Sequence, residues 1–215
     1  MSIRDDRRLR ALSAIAVVSL LALLVLAAVF IANAKSTAPS APGFKDATVY
    51  PGGSSPPAPV MRLEDAASGE PFNSATLAGR PYVVTFLYTH CPDVCPLIGA
   101  ELQQALSALG PEARKTEVVA LSVDPRGDTR AAVRAWLHVH HEPANFHYLI
   151  GDEAELKPYW NAWHVGPQIV GDPDSSHTAA IYLITRRSRI AGIVDAGTQV
   201  PISDLVYDFR SLIRN

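Results

Sequence analysis

An uncharged apolar stretch near the N-terminus constrains this chain most. Residues 11–34 read ALSAIAVVSLLALLVLAAVFIANA and contain no Asp, Glu, Lys or Arg. About 20 such residues span the hydrocarbon core of a bilayer as a helix, whereas the apolar region of a cleavable signal peptide has about 7–15. The stretch therefore predicts an uncleaved transmembrane helix over 11–34. The small-x-small pattern ANA at its end keeps a cleaved signal peptide as the alternative.

Basic residues on one side of this stretch predict its orientation. The segment 1–10 carries four arginines, and the first basic residue after the apolar stretch is Lys35. Because basic flanks stay in the cytoplasm, we expect residues 1–10 to form a cytoplasmic tip and the rest to lie outside the cytoplasm. The tip is too short for a transit peptide followed by a separate anchor. The predicted location is a bacterial inner membrane, with the C-terminal domain in the periplasm.

Composition divides the remainder of the chain into two parts. Residues 35–59 are rich in Pro, Ala, Gly and Ser, which predicts an extended linker. Residues 60–215 form the predicted domain, which is long enough to bury a proper core. The formal net charge is −2 at pH 7, with no clustered basic face. We therefore expect no nucleic-acid partner.

Strand and helix patterns alternate along the predicted domain. The apolar run PYVVTFLY predicts a buried strand, PLIGAELQQALSALG a helix that stops at Gly110, and TEVVALSV a second strand. A helix with Asp128 as its N-cap follows. Further on, AAIYLIT and RIAGIVDAG predict a hairpin, and ISDLVYDFRSLIRN an amphipathic helix. This order predicts an α/β fold with a central mixed sheet flanked by helices.

The two cysteines of the chain, Cys91 and Cys95, lie in the segment CPDVCP between the first of these strands and its helix. A disulfide across so short a loop stabilises a fold little. A helix N-terminus favours thiolates, which either exchange disulfides or bind a soft metal such as Cu(I). The spacing alone leaves redox, metal-binding and structural roles open.

Some of the seven histidines are candidates for a further metal ligand. His177 ends a polar loop just before a strand, where its ring can reach the sheet edge from which the cysteine loop also emerges; the alternative is an ordinary hydrogen-bonded loop histidine. His138 and His141 lie one helical turn apart and could chelate a metal, but such residues also complement a helix dipole.

Asp124 is a third candidate, because it ends a predicted strand near the cysteine loop. Its two interpretations are a turn former and a residue that orients a metal ligand from outside the coordination sphere.

Three segments in order, FLYTHCPDVCP, SVDPRGDT and HTAAIYLI, resemble the Sco/SenC family of copper chaperones for cytochrome c oxidase assembly. The resemblance covers the chain from about Val60 onward, and CPDVCP is its most specific motif. One departure is Arg130, where the family often has proline after the Asp-Thr pair.

This resemblance implies a thioredoxin-like fold in which Cys91, Cys95 and His177 hold copper as Cu(I) or Cu(II). It implies a chaperone that delivers copper to the dinuclear copper centre of the oxidase, with the copper-bearing subunit, other copper carriers and thiol reductases as partners. The alternative is a thiol-disulfide oxidoreductase in which Cys91 and Cys95 are catalytic. A peroxide-reducing enzyme of related fold is less favoured, because beyond Thr89 the sequence shows no activating Thr and Arg arrangement.

Overall fold

The computed structural model describes residues 19–23, 25–26, 43–48, 55–167, 179–196 and 199–214. The chain divides into two compact units, Met1–Pro39 and Ser40–Asn215. In the first unit, residues 19–23 and 25–26 are helical. Within the described ranges, no helix has both the length and the apolar character needed to cross a membrane. Most of the predicted span 11–34 lies outside those ranges.

The second unit is built on a mixed sheet, as the sequence predicts. The seven strands found in the described residues have the order β2-β1-β5-β4-β3-β6-β7. Strands β3, β4 and β5 are parallel, and the other neighbours pair in antiparallel fashion. The strands are β1 (Arg62–Asp65), β2 (Glu70–Asn73), β3 (Tyr82–Leu87), β4 (Glu117–Ser122), β5 (Phe146–Ile150), β6 (Ala180–Ile184) and β7 (Ile190–Asp195). The predicted hairpin is β6–β7, whereas the β1–β2 hairpin was not predicted.

Within the part of this unit that the structure describes, four α-helices cover both faces of the sheet. They are α1 (Val94–Leu109), α2 (Arg130–Val139), α3 (Glu153–Trp163) and α4 (Ile202–Arg214). The buried residues of α1, α2 and α4 share one hydrophobic cluster, and those of α3 belong to a second cluster. The sheet therefore separates two cores, with three helices on one side and α3 on the other.

The central strand β3 shows why its sequence is continuously apolar. Val83 and Leu87 belong to the core of α1 and α4, whereas Val84 and Phe86 belong to the core of α3. Successive side chains of a strand point to opposite faces, so a strand covered on both faces needs apolar residues at every position. The exception, Thr85, is buried and donates its hydroxyl to the carbonyl of Ala180 at 3.0 Å.

The C-terminal end of α1 lies where the sequence predicts it, whereas the N-terminal cap of α2 is a different residue from the one predicted. Helix α1 stops at Gly110, whose φ of 58° lies in the region that glycine tolerates best. The prediction that Asp128 caps α2 is wrong. The N-cap is Thr129, whose side chain accepts a hydrogen bond from the Ala132 N–H at 3.2 Å. The Asp128 carboxylate instead turns into the protein, where other donors bind it.

Part of the predicted linker 35–59 packs on the domain. Residues 43–48, which we call the N-terminal strap, lie beside β7, where Thr48 pairs with Ile193. The carboxylate of Asp208, fully buried in α4, accepts hydrogen bonds from the backbone N–H groups of Lys45, Asp46 and Ala47. Ala47 is itself buried. The fold of the second unit thus includes residues that precede Val60.

Candidate metal centre

The cysteine loop joins the end of β3 to the start of α1. Neither cysteine forms a disulfide, and both are buried, with Cys91 6% and Cys95 0% exposed. Cys91 closes a turn by donating its backbone N–H to the Tyr88 carbonyl at 3.3 Å. Cys95 lies in the first turn of α1, and its N–H donates to Cys91 Sγ at 3.2 Å. The helix N-terminus thus directs a backbone donor at one sulfur, as the sequence predicts for a thiolate site.

The surroundings of the two thiols give them different pKa values. The hydrogen bond from the Cys95 thiol, the backbone N–H groups of Asp93 and Cys95, and the Tyr88 hydroxyl together outweigh burial and lower the pKa of Cys91 to about 6. The same thiol–thiol hydrogen bond, with burial, raises the pKa of Cys95 above its ordinary value. Near neutral pH the pair therefore consists of a thiolate at Cys91 and a protonated thiol at Cys95.

Asp128 connects the cysteine loop to the sheet. It is 3% exposed, and its carboxylate lies beneath the loop. Oδ1 accepts hydrogen bonds from the Thr89 N–H at 2.7 Å and the Thr89 hydroxyl at 2.8 Å. Oδ2 accepts from the hydroxyls of Ser122 at 2.6 Å and Tyr148 at 3.1 Å. Burial raises the pKa of this carboxyl, against the lowering effect of its donors.

Asp124 is a turn former. Its Oδ1 accepts hydrogen bonds from the backbone N–H groups of Arg126 at 3.2 Å and Gly127 at 3.0 Å. One ligand atom from each of His90, Asp124 and Asp128 lies within 4.8 Å of the others, so the structure brings Asp124 close to the residue that precedes Cys91. A role for Asp124 in orienting a metal ligand remains a prediction.

The histidine candidates have different outcomes. His177 lies outside the described residues, so its role as a ligand also remains a prediction. Helix α2 ends at Val139, and His141 has a φ of 54°. The prediction that His138 and His141 share one helical turn is therefore wrong, because the chain leaves the helix between them.

A surface groove opens beside the cysteine loop. It has a volume of about 400 Å³ and lies between the loop, the first turn of α1 and helix α2. Cys91 lies at its wall, and most of the lining is apolar, from Pro96, Ala132, Ala135, Trp136 and Val139. A second molecule can therefore approach Cys91 from this side.

The fold and site define a class of protein, namely α/β proteins that carry a reactive dithiol at the N-terminus of a helix that follows a buried strand. The SCO1/SenC family model matches residues 64–214. This chain therefore belongs to the SCO1/SenC family, as the resemblance of its motifs implies.

Relatives and a solved structure agree with this membership. A "Putative copper-binding protein" of Stutzerimonas stutzeri is 27% identical over 64% of this chain and 69% of its own length. A SCO2-like protein of Rickettsia conorii is 30% identical over 54% of this chain, and the match spans 59% of that relative. The copper-bound structure of ScoI from Bradyrhizobium japonicum is 30% identical, with a TM-score of 0.63 over 72% of this chain and 98% of that one.

Proposed function

We propose that this chain is a membrane-anchored copper chaperone that delivers copper to the dinuclear copper centre of cytochrome c oxidase. The observation that carries the proposal is the pair of buried cysteines at the start of α1, which form no disulfide. The backbone N–H of Cys95 donates to Cys91 Sγ at 3.2 Å. The Stutzerimonas stutzeri relative is named as a putative copper-binding protein, and the structure of ScoI from Bradyrhizobium japonicum holds copper.

The donor set suits copper as cargo. Thiolate sulfur is a soft ligand that favours Cu(I), and Cys91 supplies a thiolate near neutral pH. Cys95 would lose its proton when the metal binds, so copper uptake releases a proton. His177 would supply the third ligand, and an imidazole also accommodates Cu(II).

Transfer requires that a second protein reach the metal. The groove beside Cys91 gives that access from one side, and a site of three protein ligands leaves room for an incoming thiol or imidazole. Copper then moves by ligand exchange, without a chemical change in the chaperone. The copper-bearing oxidase subunit is the proposed acceptor, and other copper carriers and thiol reductases are the proposed suppliers of metal and electrons.

The N-terminal features support the proposed location. The apolar stretch 11–34 and the arginines before it favour a single span in a bacterial inner membrane, with the dithiol domain in the periplasm. In an oxidising compartment the two cysteines can form a disulfide, so a thiol reductase would have to reduce them before Cu(I) binds.

Copper binding by the reduced full-length chain in detergent micelles tests this proposal. We expect one tightly bound copper ion, with large losses of affinity in Cys91→Ser, Cys95→Ser and His177→Ala. His138→Ala is the matched control, because His138 is exposed near the end of α2 and does not line the groove beside Cys91. Weak copper binding by the parent chain would contradict the proposal.

The difference between the two thiols favours a second candidate function, a thiol-disulfide oxidoreductase. A low-pKa thiol beside a protonated one is the arrangement in which the first attacks a disulfide and the second resolves the mixed disulfide. In this case His177→Ala would keep the parent rate of disulfide exchange. A chaperone would instead lose copper retention in the same variant.

A further inference from the structure

One buried carboxylate connects the cysteine loop to the rigid part of the sheet. We propose that Asp128 is a positioning residue for the metal site, acting on Cys91 through Thr89. The inference deepens the proposed copper function, on which it rests, by naming a residue whose carboxylate binds Thr89, Ser122 and Tyr148 and thereby determines how the thiols are presented.

The two oxygens of Asp128 have separate partners. Oδ2 accepts from the hydroxyls of Ser122, at the end of β4, and Tyr148, in β5, at 2.6 and 3.1 Å. Both residues are completely buried in parallel central strands. Oδ1 accepts both the N–H and the hydroxyl of Thr89, at 2.7 and 2.8 Å. One oxygen of Asp128 therefore binds the sheet and the other binds the cysteine loop.

Thr89 lies inside the turn that places Cys91. This turn runs from Tyr88 to Cys91 and is closed by the hydrogen bond from the Cys91 N–H to the Tyr88 carbonyl at 3.3 Å. Because both the backbone and the side chain of Thr89 bind the same oxygen, the turn can neither rotate nor lift without breaking two hydrogen bonds. Hydrogen bonds to a charged acceptor are among the stronger ones in proteins.

This anchoring matters because the loop has to serve two states of the thiols. Copper binding needs two sulfurs at a fixed separation, and disulfide formation needs them to approach each other. A turn held by Asp128 confines that movement to the segment after Thr89. Loss of the carboxylate would free the whole loop, so both the copper geometry and the dithiol–disulfide equilibrium should change.

The same contacts also orient His90. The Thr89 hydroxyl donates its single proton to Asp128, so its oxygen is left to accept from His90 Nδ1 at 3.2 Å. Through Thr89, Asp128 thus influences both Cys91 and His90, which line the groove.

The test compares the full-length chain in detergent micelles with Asp128→Asn, Thr89→Val and Thr89→Ser. Three properties are measured: Cu(I) affinity by competition with a chromogenic chelator, the absorption spectrum of the Cu(II) form, and the equilibrium of the dithiol with glutathione. In the last reaction, oxidised glutathione takes two electrons and two protons from Cys91 and Cys95, whose sulfurs form a bond while the glutathione disulfide breaks into two thiols.

We expect Asp128→Asn to weaken Cu(I) binding about tenfold, the order of effect that one hydrogen bond to a charged group carries. It should also shift the Cu(II) absorption bands and the glutathione equilibrium. Thr89→Val keeps the backbone contact and should show a smaller change of the same kind. Thr89→Ser keeps a hydroxyl at this position, so all three properties should stay at the parent values.

Asp208→Asn is the matched control, because Asp208 is also fully buried and binds three backbone N–H groups of the N-terminal strap. It should lower thermal stability and leave the three properties unchanged.

Parent values of all three properties in both Asp128→Asn and Thr89→Val would overturn the proposal. If Asp128→Asn does not fold, the properties of Thr89→Val alone test the proposal, and parent values in that variant would overturn it. If the parent binds no copper, the proposed function fails, and the glutathione equilibrium still decides whether Asp128 positions the dithiol.

Discussion

At the scale of single residues, neighbouring side chains of the same type do different work. Asp124 and Asp128 are both buried acids of one short segment, yet Asp124 stabilises its own turn and Asp128 binds the cysteine loop. Cys91 and Cys95 differ in the same way, because Cys91 receives the Cys95 N–H at the helix N-terminus and has a lowered pKa, whereas the pKa of Cys95 is raised. Position in the fold, more than residue type, determines the chemistry of each group.

The acidity of Cys91 gives a prediction for alkylation. Because its pKa is lowered to about 6, with the Cys95 thiol as the largest cause, Cys91 should react with iodoacetamide as a thiolate at pH 7. We expect its rate to rise with a midpoint near pH 6 and to exceed that of Cys95 at every pH below about 8. Mass spectrometry of alkylated peptides measures both rates.

Cys95→Ala is the informative variant for this experiment, because it removes the strongest donor to Cys91 while leaving the helix N-terminus in place. The midpoint should move upward, towards the value of an ordinary thiol. A parent midpoint above pH 8 would show that the helix N-terminus and Cys95 do not stabilise the thiolate.

At the scale of elements, the contact between α1 and α2 shapes the groove beside the site. Gly99 lies in α1 against the indole of Trp136 from α2. A Cβ at position 99 would lie 2.7 Å from Trp136 Cη2 and 2.9 Å from Glu142 Oε1, closer than carbon atoms approach. The helices pack this closely because residue 99 has no side chain.

Gly99→Ala should therefore destabilise the protein, although alanine is the better helix former. Overpacking costs about 1–3 kcal/mol and the helix propensity of alanine returns about 1 kcal/mol, so we expect a net loss of roughly 1 kcal/mol in urea unfolding. Gly166→Ala is the control, since a Cβ there meets nothing within 4 Å. Equal stability of the two variants would contradict the close packing of α1 on α2.

At the scale of the whole molecule, one histidine connects several strands of the sheet. His147 in β5 has Nδ1 3.0 Å from Asp65 Oδ2 of β1 and Nε2 3.6 Å from Glu117 Oε2 of β4. Its ring also packs on Phe72 of β2, with centroids 4.8 Å apart. Burial disfavours the charged form, but the hydrogen bonds and charges of the two carboxylates outweigh it and raise the pKa of His147 to about 9.

This arrangement predicts how stability depends on pH. A histidine whose pKa is higher in the folded than in the unfolded chain stabilises the fold fully below its unfolded pKa of about 6.5, and this contribution disappears as the pH rises through about 9. His147→Gln should therefore lower the free energy of unfolding at pH 6 by about 2 kcal/mol, with a difference that shrinks towards pH 10.

Urea denaturation at several pH values measures this difference. His138→Gln, at an exposed position, should follow the parent curve throughout. A His147→Gln penalty that is constant from pH 6 to pH 10 would show that the ion pairs with Asp65 and Glu117 do not hold the charged form.

Local patterns in the sequence were enough to predict the elements that carry the site. The apolar run of β3, the helix α1 with its stop at Gly110, the β6–β7 hairpin and the closing helix α4 are all where the patterns indicate. The β1–β2 hairpin was missed because its strands are short and its apolar residues few. The packing of the N-terminal strap was missed because a Pro- and Gly-rich segment has no apolar period.

The sequence alone is enough to find the motif with both thiols, its place between a buried strand and a helix, and the family that this motif indicates. Periodicity and spacing are local properties, so they can be read along the chain. The folded protein adds that Asp128 binds the cysteine loop, that α2 ends before His141 and that Asp208 holds the strap. Each of these features depends on hydrogen-bond partners that are distant in the sequence or on where a helix meets its neighbours. Local residue spacing does not predict such contacts.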